Sequence, residues 1–275
     1  MTARLVCIIV LLCGSTLLGA ERDYLDAGEA ILIPVGSAGC LGLGELARHF
    51  DSTSTSIIRG PLPGETWLHR KLVGRPQPGQ SNFLDSDVGS ALTPAVCGML
   101  LVGADLSWPR GKAAKDAGQD LLLYLSGLTA TKGVTDITKG IFKRPRPLLS
   151  LEPELAAARG HSNWSYDHHS FFSGHASSSF FATSFLNLRL RDIMRTELNT
   201  CDYRDWRWLP PTLLYGWAGF VSLSRLHAYK HYLSDVLVGA TAGWLLAELF
   251  YNFAPDVKEQ GAGGTPMFVR LSFSF

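Results

Sequence analysis

The chain has 275 residues, of which 25 are basic and 24 acidic, so its formal net charge at neutral pH is only +1. A chain so close to neutrality has no overall field that would attract nucleic acid, and any recognition of an anion must be local. The length suits one large domain. A charged fraction of 18% and a mean hydropathy of +0.11 indicate a helical protein with a large apolar interior or a membrane-associated one.

The first 20 residues have the outline of a secretory signal. One basic residue precedes a short apolar run, and small residues ending at Ala20 precede a charged segment. We therefore expect export to the cell envelope as a periplasmic protein, soluble or membrane-associated, with cleavage near Ala20 or retention of an uncleaved anchor. Three cysteines follow the signal, and their wide spacing permits at most one disulfide and resembles no cysteine-based metal site.

Hydrophobic periodicity predicts an all-α body in residues 21–260, with helices over residues 24–50, 90–103, 112–142, 173–193, 210–226 and 229–254. Pro34 is expected to kink or interrupt the first of them. Residues 51–90 predict an irregular segment with one short helix near residues 65–72, and residues 148–171 predict a loop. In the tail, residues 261–275, apolar and other residues alternate as in a β-strand, so a short β-like tail follows the helices.

Most of the apolar runs are shorter than the roughly 20 residues that a bilayer span needs. Only residues 236–254 approach that length. The pattern therefore favours a mainly soluble helical bundle, and an integral membrane bundle is the alternative.

One short stretch near the end of the helical region, residues 224–235, combines a guanidinium, an imidazole and a carboxylate. They belong to Arg225, His231 and Asp235. On a helix the spacing of four would place His231 and Asp235 on one face, where the carboxylate could accept the Nδ1 proton and leave Nε2 free to attack an electrophile. A salt-bridged helix face is the plainer interpretation of such a pair.

Two upstream clusters have the chemistry of an anion site. Lys139 and Arg146 lie seven residues apart, two helical turns, so that both cations could converge on a phosphoryl group. Ser173 and Gly174 open a predicted helix whose free backbone N–H groups can bind an anion, and His175 in its first turn can protonate a leaving oxygen. Taken singly, a basic helix end and a capped helix would explain these clusters equally well.

The order Lys-x6-Arg-Pro, Ser-Gly-His and Ser-Arg-x5-His-x3-Asp resembles the three-part signature of the type 2 phosphatidic acid phosphatase and vanadium haloperoxidase superfamily. The resemblance covers residues 139–235. Phe172 stands where that family usually has proline, a position that contributes no reacting group.

The resemblance implies an exported phosphohydrolase with an all-helical core that needs no metal and no cofactor. By position, His231 would be the nucleophile that forms a phosphohistidine, Asp235 would orient it, and His175 would protonate the leaving group. The groups that would hold the phosphoryl oxygens are Lys139, Arg146, Ser173, Gly174 and Arg225. The expected substrates are phosphorylated lipids or small phosphomonoesters, with possible membrane association and no nucleic acid.

Two alternatives use the same residues. The haloperoxidase branch of the superfamily cradles vanadate with them, so a vanadium-dependent haloperoxidase is the closer alternative. A catalytically silent protein that binds phospholipids is the other. Release of phosphate, bromination of a phenol, or binding without turnover would separate the three functions.

Overall fold

The computed structural model describes residues 25, 27–49, 56–74, 88–107, 113–158 and 167–252. The predicted signal and the predicted β-like tail lie outside these ranges. The helices are α1 (Ala27–His49), α2 (Glu65–Val73), α3 (Thr93–Ser107), α4 (Ala113–Phe142), α5 (Pro147–Leu151), α6 (Pro153–Ala158), α7 (Gly174–Glu197), α8 (Thr200–Trp206), α9 (Leu209–His227) and α10 (Leu233–Tyr251). The all-α prediction is confirmed.

The bundle is arranged around α7, which packs against α3, α4, α9 and α10, while α1 packs along α4. Much of the surface of α7 is buried and consists of Ala, Ser and Thr, which let neighbouring helices approach closely. Its larger side chains Phe181, Phe185 and Leu186 form the main apolar core together with Leu123 and Tyr124 of α4.

A close contact between α7 and α10 brings the first turns of these two helices together. A Cβ added at Gly239 would stand 2.6 Å from the carbonyl oxygen of Ser173, and one at Gly243 would collide with the carbonyl oxygen of Ser177. Two glycines one helical turn apart therefore allow the backbone of α10 to lie directly on the first turns of α7. The backbone N–H of Ser173 then donates to the carbonyl oxygen of Asp235 over 3.0 Å.

Three helices are long and apolar enough to cross a membrane by length and composition: Ala27–Arg48, Gly89–Ser107 and Leu233–Tyr251. The expectation that only the last helix approaches spanning length was wrong. Pro34 lies inside α1 without ending it, and a π-helical turn over Val88–Leu92 leads directly into α3. Exposed apolar side chains line the outer faces of these helices, which favours membrane association over the soluble bundle.

The segments predicted as loops contain short helices. The expected loop over residues 148–171 begins within α5 and also holds α6, and each of these helices starts at a proline, whose fixed φ suits the first helical turn. The segment after α7, for which no helix was predicted, forms α8, because the Asn199 side chain accepts a hydrogen bond from the backbone N–H of Asp202 and caps it. The short helix expected near residues 65–72 is confirmed as α2.

Candidate active site

The three motif segments meet at one end of the bundle. Lys139 lies in the last turn of α4, Ser173 caps α7, and Asp235 lies in the first turn of α10. Backbone hydrogen bonds tie the connecting segments together: the N–H of Ser170 donates to the carbonyl oxygen of Arg144 over 3.0 Å, and that of Arg146 to the carbonyl oxygen of Asp167 over 2.9 Å. Residues far apart in sequence are thereby held in one place.

The N-terminus of α7 faces the ammonium group of Lys139. A Cβ built on Gly174 would lie 3.4 Å from Lys139 Nζ, and the Ser173 hydroxyl accepts a hydrogen bond from the N–H of Ala176 over 3.4 Å. Free N–H groups at a helix start attract anions, and a cation beside them strengthens that attraction. Partial burial lowers the pKa of Lys139 to about 8, with Arg146 adding to this effect and Asp136 opposing it.

His175 and His231 are the imidazoles of this end of the bundle. Burial, together with the positive charges of Arg225 and Lys139, lowers the pKa of His175 to about 3. Burial also lowers the pKa of His231 to about 4, although Asp235 acts in the opposite direction. Both rings are therefore neutral at pH 7, and the charge of Lys139 contributes to the lowered pKa of each.

The Nδ1 atom of His231 lies 2.7 Å from the carbonyl oxygen of Ser170. A carbonyl oxygen only accepts, so Nδ1 carries the proton and Nε2 keeps its lone pair. The sequence predicted that the Asp235 carboxylate accepts the Nδ1 proton of His231, but its Oδ2 atom is 3.8 Å from Nδ1. The two residues do not share a helix face, because His231 precedes α10, which begins at Leu233.

The carboxylate of Asp235 accepts three shorter hydrogen bonds from other donors. Its Oδ2 accepts from the Ser170 hydroxyl over 2.5 Å and from the N–H of Tyr232 over 2.9 Å, and its Oδ1 accepts from Arg144 Nη1 over 2.5 Å. Ser170 therefore contacts His231 through its carbonyl and Asp235 through its hydroxyl, and it fixes the two side chains relative to each other.

Arg144 was missed as a site residue by sequence reasoning. Its side chain is 0% exposed and bonds two carboxylates, those of Asp235 and Glu65. It also donates to the Ser234 hydroxyl over 2.7 Å, and its guanidinium lies 4.0 Å from the ring centre of Tyr232. A second arginine two residues before the motif Arg146 was the available signal.

Glu65, the first residue of α2, is the other group that the sequence did not reveal. Its Oε1 accepts from the N–H and the hydroxyl of Ser234 over 3.1 and 2.6 Å, and its Oε2 accepts from Arg144 and from the N–H of Leu62. The start of α10 is thus bonded to a helix that lies more than 160 residues earlier in the chain.

Of the remaining predicted residues, Arg225 is 0% exposed near the end of α9 and donates from Nε to the Ser224 hydroxyl over 3.2 Å. Arg146 is half-buried just before α5. All eight predicted site residues are thus found at this end of the bundle, and their chemical roles stay predictions. Within the described ranges, no three His, Cys, Asp or Glu side chains are grouped so as to hold a metal ion.

The sequence pattern of the PAP2 superfamily matches residues 120–259, just over half of the chain, and the chain belongs to this family. Phospholipid phosphatase 1 of Rattus norvegicus is 31% identical over 152 residues, which cover 48% of this chain and 51% of the relative. Phospholipid phosphatase 2 of Bos taurus is 30% identical over 153 residues, covering 48% and 50%. Dolichyldiphosphatase 1 of Rhinolophus ferrumequinum is 29% identical over 155 residues, covering 54% and 56%.

The chain spans about half the length of the curated relatives it matches. No solved structure matches it.

Proposed function

We propose that this chain is an exported, membrane-embedded phosphohydrolase that acts on lipid phosphates, as monoesters or diphosphates, through a phosphohistidine at His231. The observation that carries the proposal is the neutral His231 ring, whose Nδ1 is bonded to the Ser170 carbonyl so that Nε2 keeps its lone pair, near His175 and the cations Lys139, Arg146 and Arg225. The names of the relatives, phospholipid phosphatase and dolichyldiphosphatase, support the same reaction class.

The phosphoryl group binds between the cations and the start of α7. Lys139, Arg146 and Arg225 neutralise its charge, and the Ser173 hydroxyl with the Gly174 N–H binds its oxygens. Phosphoryl transfer requires mainly positioning and charge neutralisation, and three fixed cations supply both without a metal.

In the first step Nε2 of His231 forms a bond to phosphorus as the bond from phosphorus to the leaving oxygen breaks. His175 gives a proton to that oxygen. The negative charge of the bound phosphate offsets the positive charges of Arg225 and Lys139, which raises the pKa of His175 from its value in the vacant site and lets it carry that proton.

In the second step a water molecule attacks the phosphohistidine, His175 takes the proton of the water, and the bond between phosphorus and Nε2 breaks. Phosphate leaves and His231 is restored. The ring carries positive charge while it is phosphorylated, and the Ser170 carbonyl and the Asp235 carboxylate stabilise that charge from the Nδ1 side.

Insertion in a bilayer supplies the substrates. The three candidate spans end beside the site: Ala27–Arg48 at the segment before α2, Gly89–Ser107 next to His175, and Leu233–Tyr251 at Asp235. A lipid whose acyl chains stay in the bilayer would present its phosphate at this level, so that the enzyme need not extract it.

The test is phosphate release by the purified chain from a lipid phosphate and from a soluble phenyl phosphate, with His231→Ala beside it. We expect the variant to lose essentially all turnover of both substrates while remaining folded, and orthovanadate to inhibit the native chain. His227→Ala, an exposed histidine on α9, is the matched control and should keep its activity. More than about a hundredth of native turnover in His231→Ala would exclude its role as nucleophile.

Two other outcomes would reject the proposed reaction. Bromination of a phenol dye with vanadate and peroxide, without phosphate release, would indicate a haloperoxidase. Tight binding of lipid phosphate without turnover would indicate a binding protein.

A further inference from the structure

The two faces of α2 differ sharply. Glu65 and His69 lie one turn apart and are 6% and 1% exposed. Trp67 is 64% exposed on the opposite side, and Arg70 and Lys71 are exposed beside it. A helix with cations and a tryptophan outward and buried groups inward has the composition of one that lies in a membrane interface.

The inward face is fastened to the site. Glu65 bonds Arg144, which bonds Asp235, and Glu65 also bonds Ser234 at the start of α10. The position of α2 is therefore coupled directly to the carboxylate beside His231.

The ends of the candidate spans place α2 at the level of the bilayer surface. The span Ala27–Arg48 ends before α2 in the chain, and the span Gly89–Ser107 begins after it. Glu65 is bonded to Ser234, the second residue of the span Leu233–Tyr251. A segment attached to three such ends lies where the hydrocarbon gives way to headgroups.

The outward face has the shape and charge to receive headgroups. Gly64, Thr66, Trp67, Arg70 and Lys71 line an open hollow of about 570 Å³. Leu62 and Leu72, which lie close in sequence to residues lining this hollow, are exposed apolar side chains. Tryptophan suits the boundary between apolar and wet layers, and arginine and lysine attract anionic lipids.

We propose that the outward face of α2, formed by Trp67, Arg70 and Lys71, binds the anionic headgroup layer of the membrane. This contact fixes the position of α2, whose inner residue Glu65 bonds Arg144 and, through Arg144, is linked to Asp235. This inference rests on the membrane insertion and the phosphatase reaction proposed above. It gives the enzyme a contact with lipids that are not its substrates, and it makes turnover of lipid phosphates depend on the anionic content of the bilayer.

The experiment uses the full chain in nanodiscs of phosphatidylcholine, alone or with phosphatidylglycerol added. The variant Arg70→Gln/Lys71→Gln removes both cations from α2. Its matched control, Arg204→Gln/Arg207→Gln, removes two exposed arginines beside Trp208 on the α8 side, at the other end of α7. Turnover is measured with a lipid phosphate in the disc and with a soluble phenyl phosphate.

We expect phosphatidylglycerol to increase the ratio of lipid to soluble turnover in the native chain and in the α8 control. The α2 variant should lose that increase, with a higher KM for the lipid, by about fivefold for each cation removed. An equal loss in the α8 control would overturn the inference. Absence of turnover of both the lipid and the soluble substrate in the native chain would instead reject the phosphatase reaction itself.

A second measurement does not depend on turnover. The emission of Trp67 is the difference in fluorescence between the native chain and Trp67→Phe. Brominated lipids should quench this emission, and brominated phosphatidylglycerol should quench it more strongly than brominated phosphatidylcholine. No quenching, or equal quenching by both lipids, would contradict binding of anionic headgroups. Shielding of Trp67 that appears only as protein concentration rises would assign the face to a second copy of this chain, and the proposal would fail.

Discussion

Arg144 bonds the carboxylates of Glu65 and Asp235, which come from distant parts of the chain. Ser170 links Asp235 to His231, because its hydroxyl donates to the carboxylate and its carbonyl oxygen accepts from Nδ1 of the imidazole. The His231 ring, the proposed nucleophile, is therefore oriented by a chain of contacts rather than by one carboxylate. A buried cation with two carboxylates can be held only if every member is hydrogen-bonded, since an unpaired buried charge is costly. Arg144 is thus a positioning residue for the proposed reaction.

Arg144→Lys keeps the positive charge but cannot bond both carboxylates in the geometry of a guanidinium fork. We expect kcat to fall by about 100-fold, the cost of a displacement of roughly an ångström in a reacting group, with little change in KM. Steady-state kinetics on a soluble phosphomonoester would measure both. Arg195→Lys, on the exposed end of α7, should behave as the native chain; a parallel rise in KM for Arg144→Lys would argue against a purely positioning role.

His69 is buried against the ring of Tyr229, with 4.6 Å between ring centres, and neither ring nitrogen has a hydrogen-bond partner among the described residues. Burial lowers its pKa to about 4, although Glu65 and Asp235 act in the opposite direction. In the unfolded chain an imidazole titrates near 6.5, so between pH 6.5 and about 4 the unfolded state binds a proton that the folded state does not. Stability contributed by the neutral ring is therefore lost as pH falls through this window.

His69→Phe removes this titration and a buried polar group without partners, so we expect a smaller drop in Tm between pH 7 and about pH 4.5 than in the native chain. Thermal unfolding of the detergent-solubilised protein across this range measures it. His227→Phe, at an exposed position, should leave the pH dependence as it is. An unchanged slope for His69→Phe would mean that His69 does not contribute to the acid sensitivity.

The contact between α7 and α10 depends on Gly243, where any Cβ would meet the backbone of Ser177 and Phe181. Gly243→Ala should cost about 1–3 kcal/mol, as overpacking of a tight core does, and should reduce turnover because Asp235 moves with α10. Gly219→Ala on α9, where a Cβ meets nothing within 4 Å, is the matched control and should stabilise by about 0.5–1 kcal/mol. Equal Tm values for the two variants would show that the helices can separate without cost.

Sequence alone predicted the long helices and brought the motif residues to notice, because hydrophobic periodicity and short fixed spacings are local properties. The contact between Glu65 and Arg144 joins residues 79 apart, and a carboxylate buried by tertiary packing leaves no local pattern. The number of spanning helices was underestimated for a related reason. Pro34 was expected to kink or interrupt α1, yet prolines are tolerated within apolar helices where neighbouring groups satisfy the freed backbone carbonyl.

In the part of the chain that the structure describes, the candidate site and α8 lie at opposite ends of α7. With 24 residues, α7 is about 36 Å long, more than the roughly 30 Å of a bilayer's hydrocarbon core. Cys201 on α8 is a free and exposed thiol, whereas Cys97 is buried in α3. A membrane-impermeant maleimide added outside intact cells should therefore leave Cys201 unlabelled if the site faces outward, and should label it after permeabilisation, with Cys201→Ser as the control.

The length of α7 also gives the reaction a direction. Because the candidate site lies at one end of a helix longer than the hydrocarbon layer, the proposed hydrolysis would be vectorial: every phosphate released would enter a single compartment, whichever leaflet the dephosphorylated lipid later visits. Labelling of Cys201 before permeabilisation would assign that compartment to the cell interior.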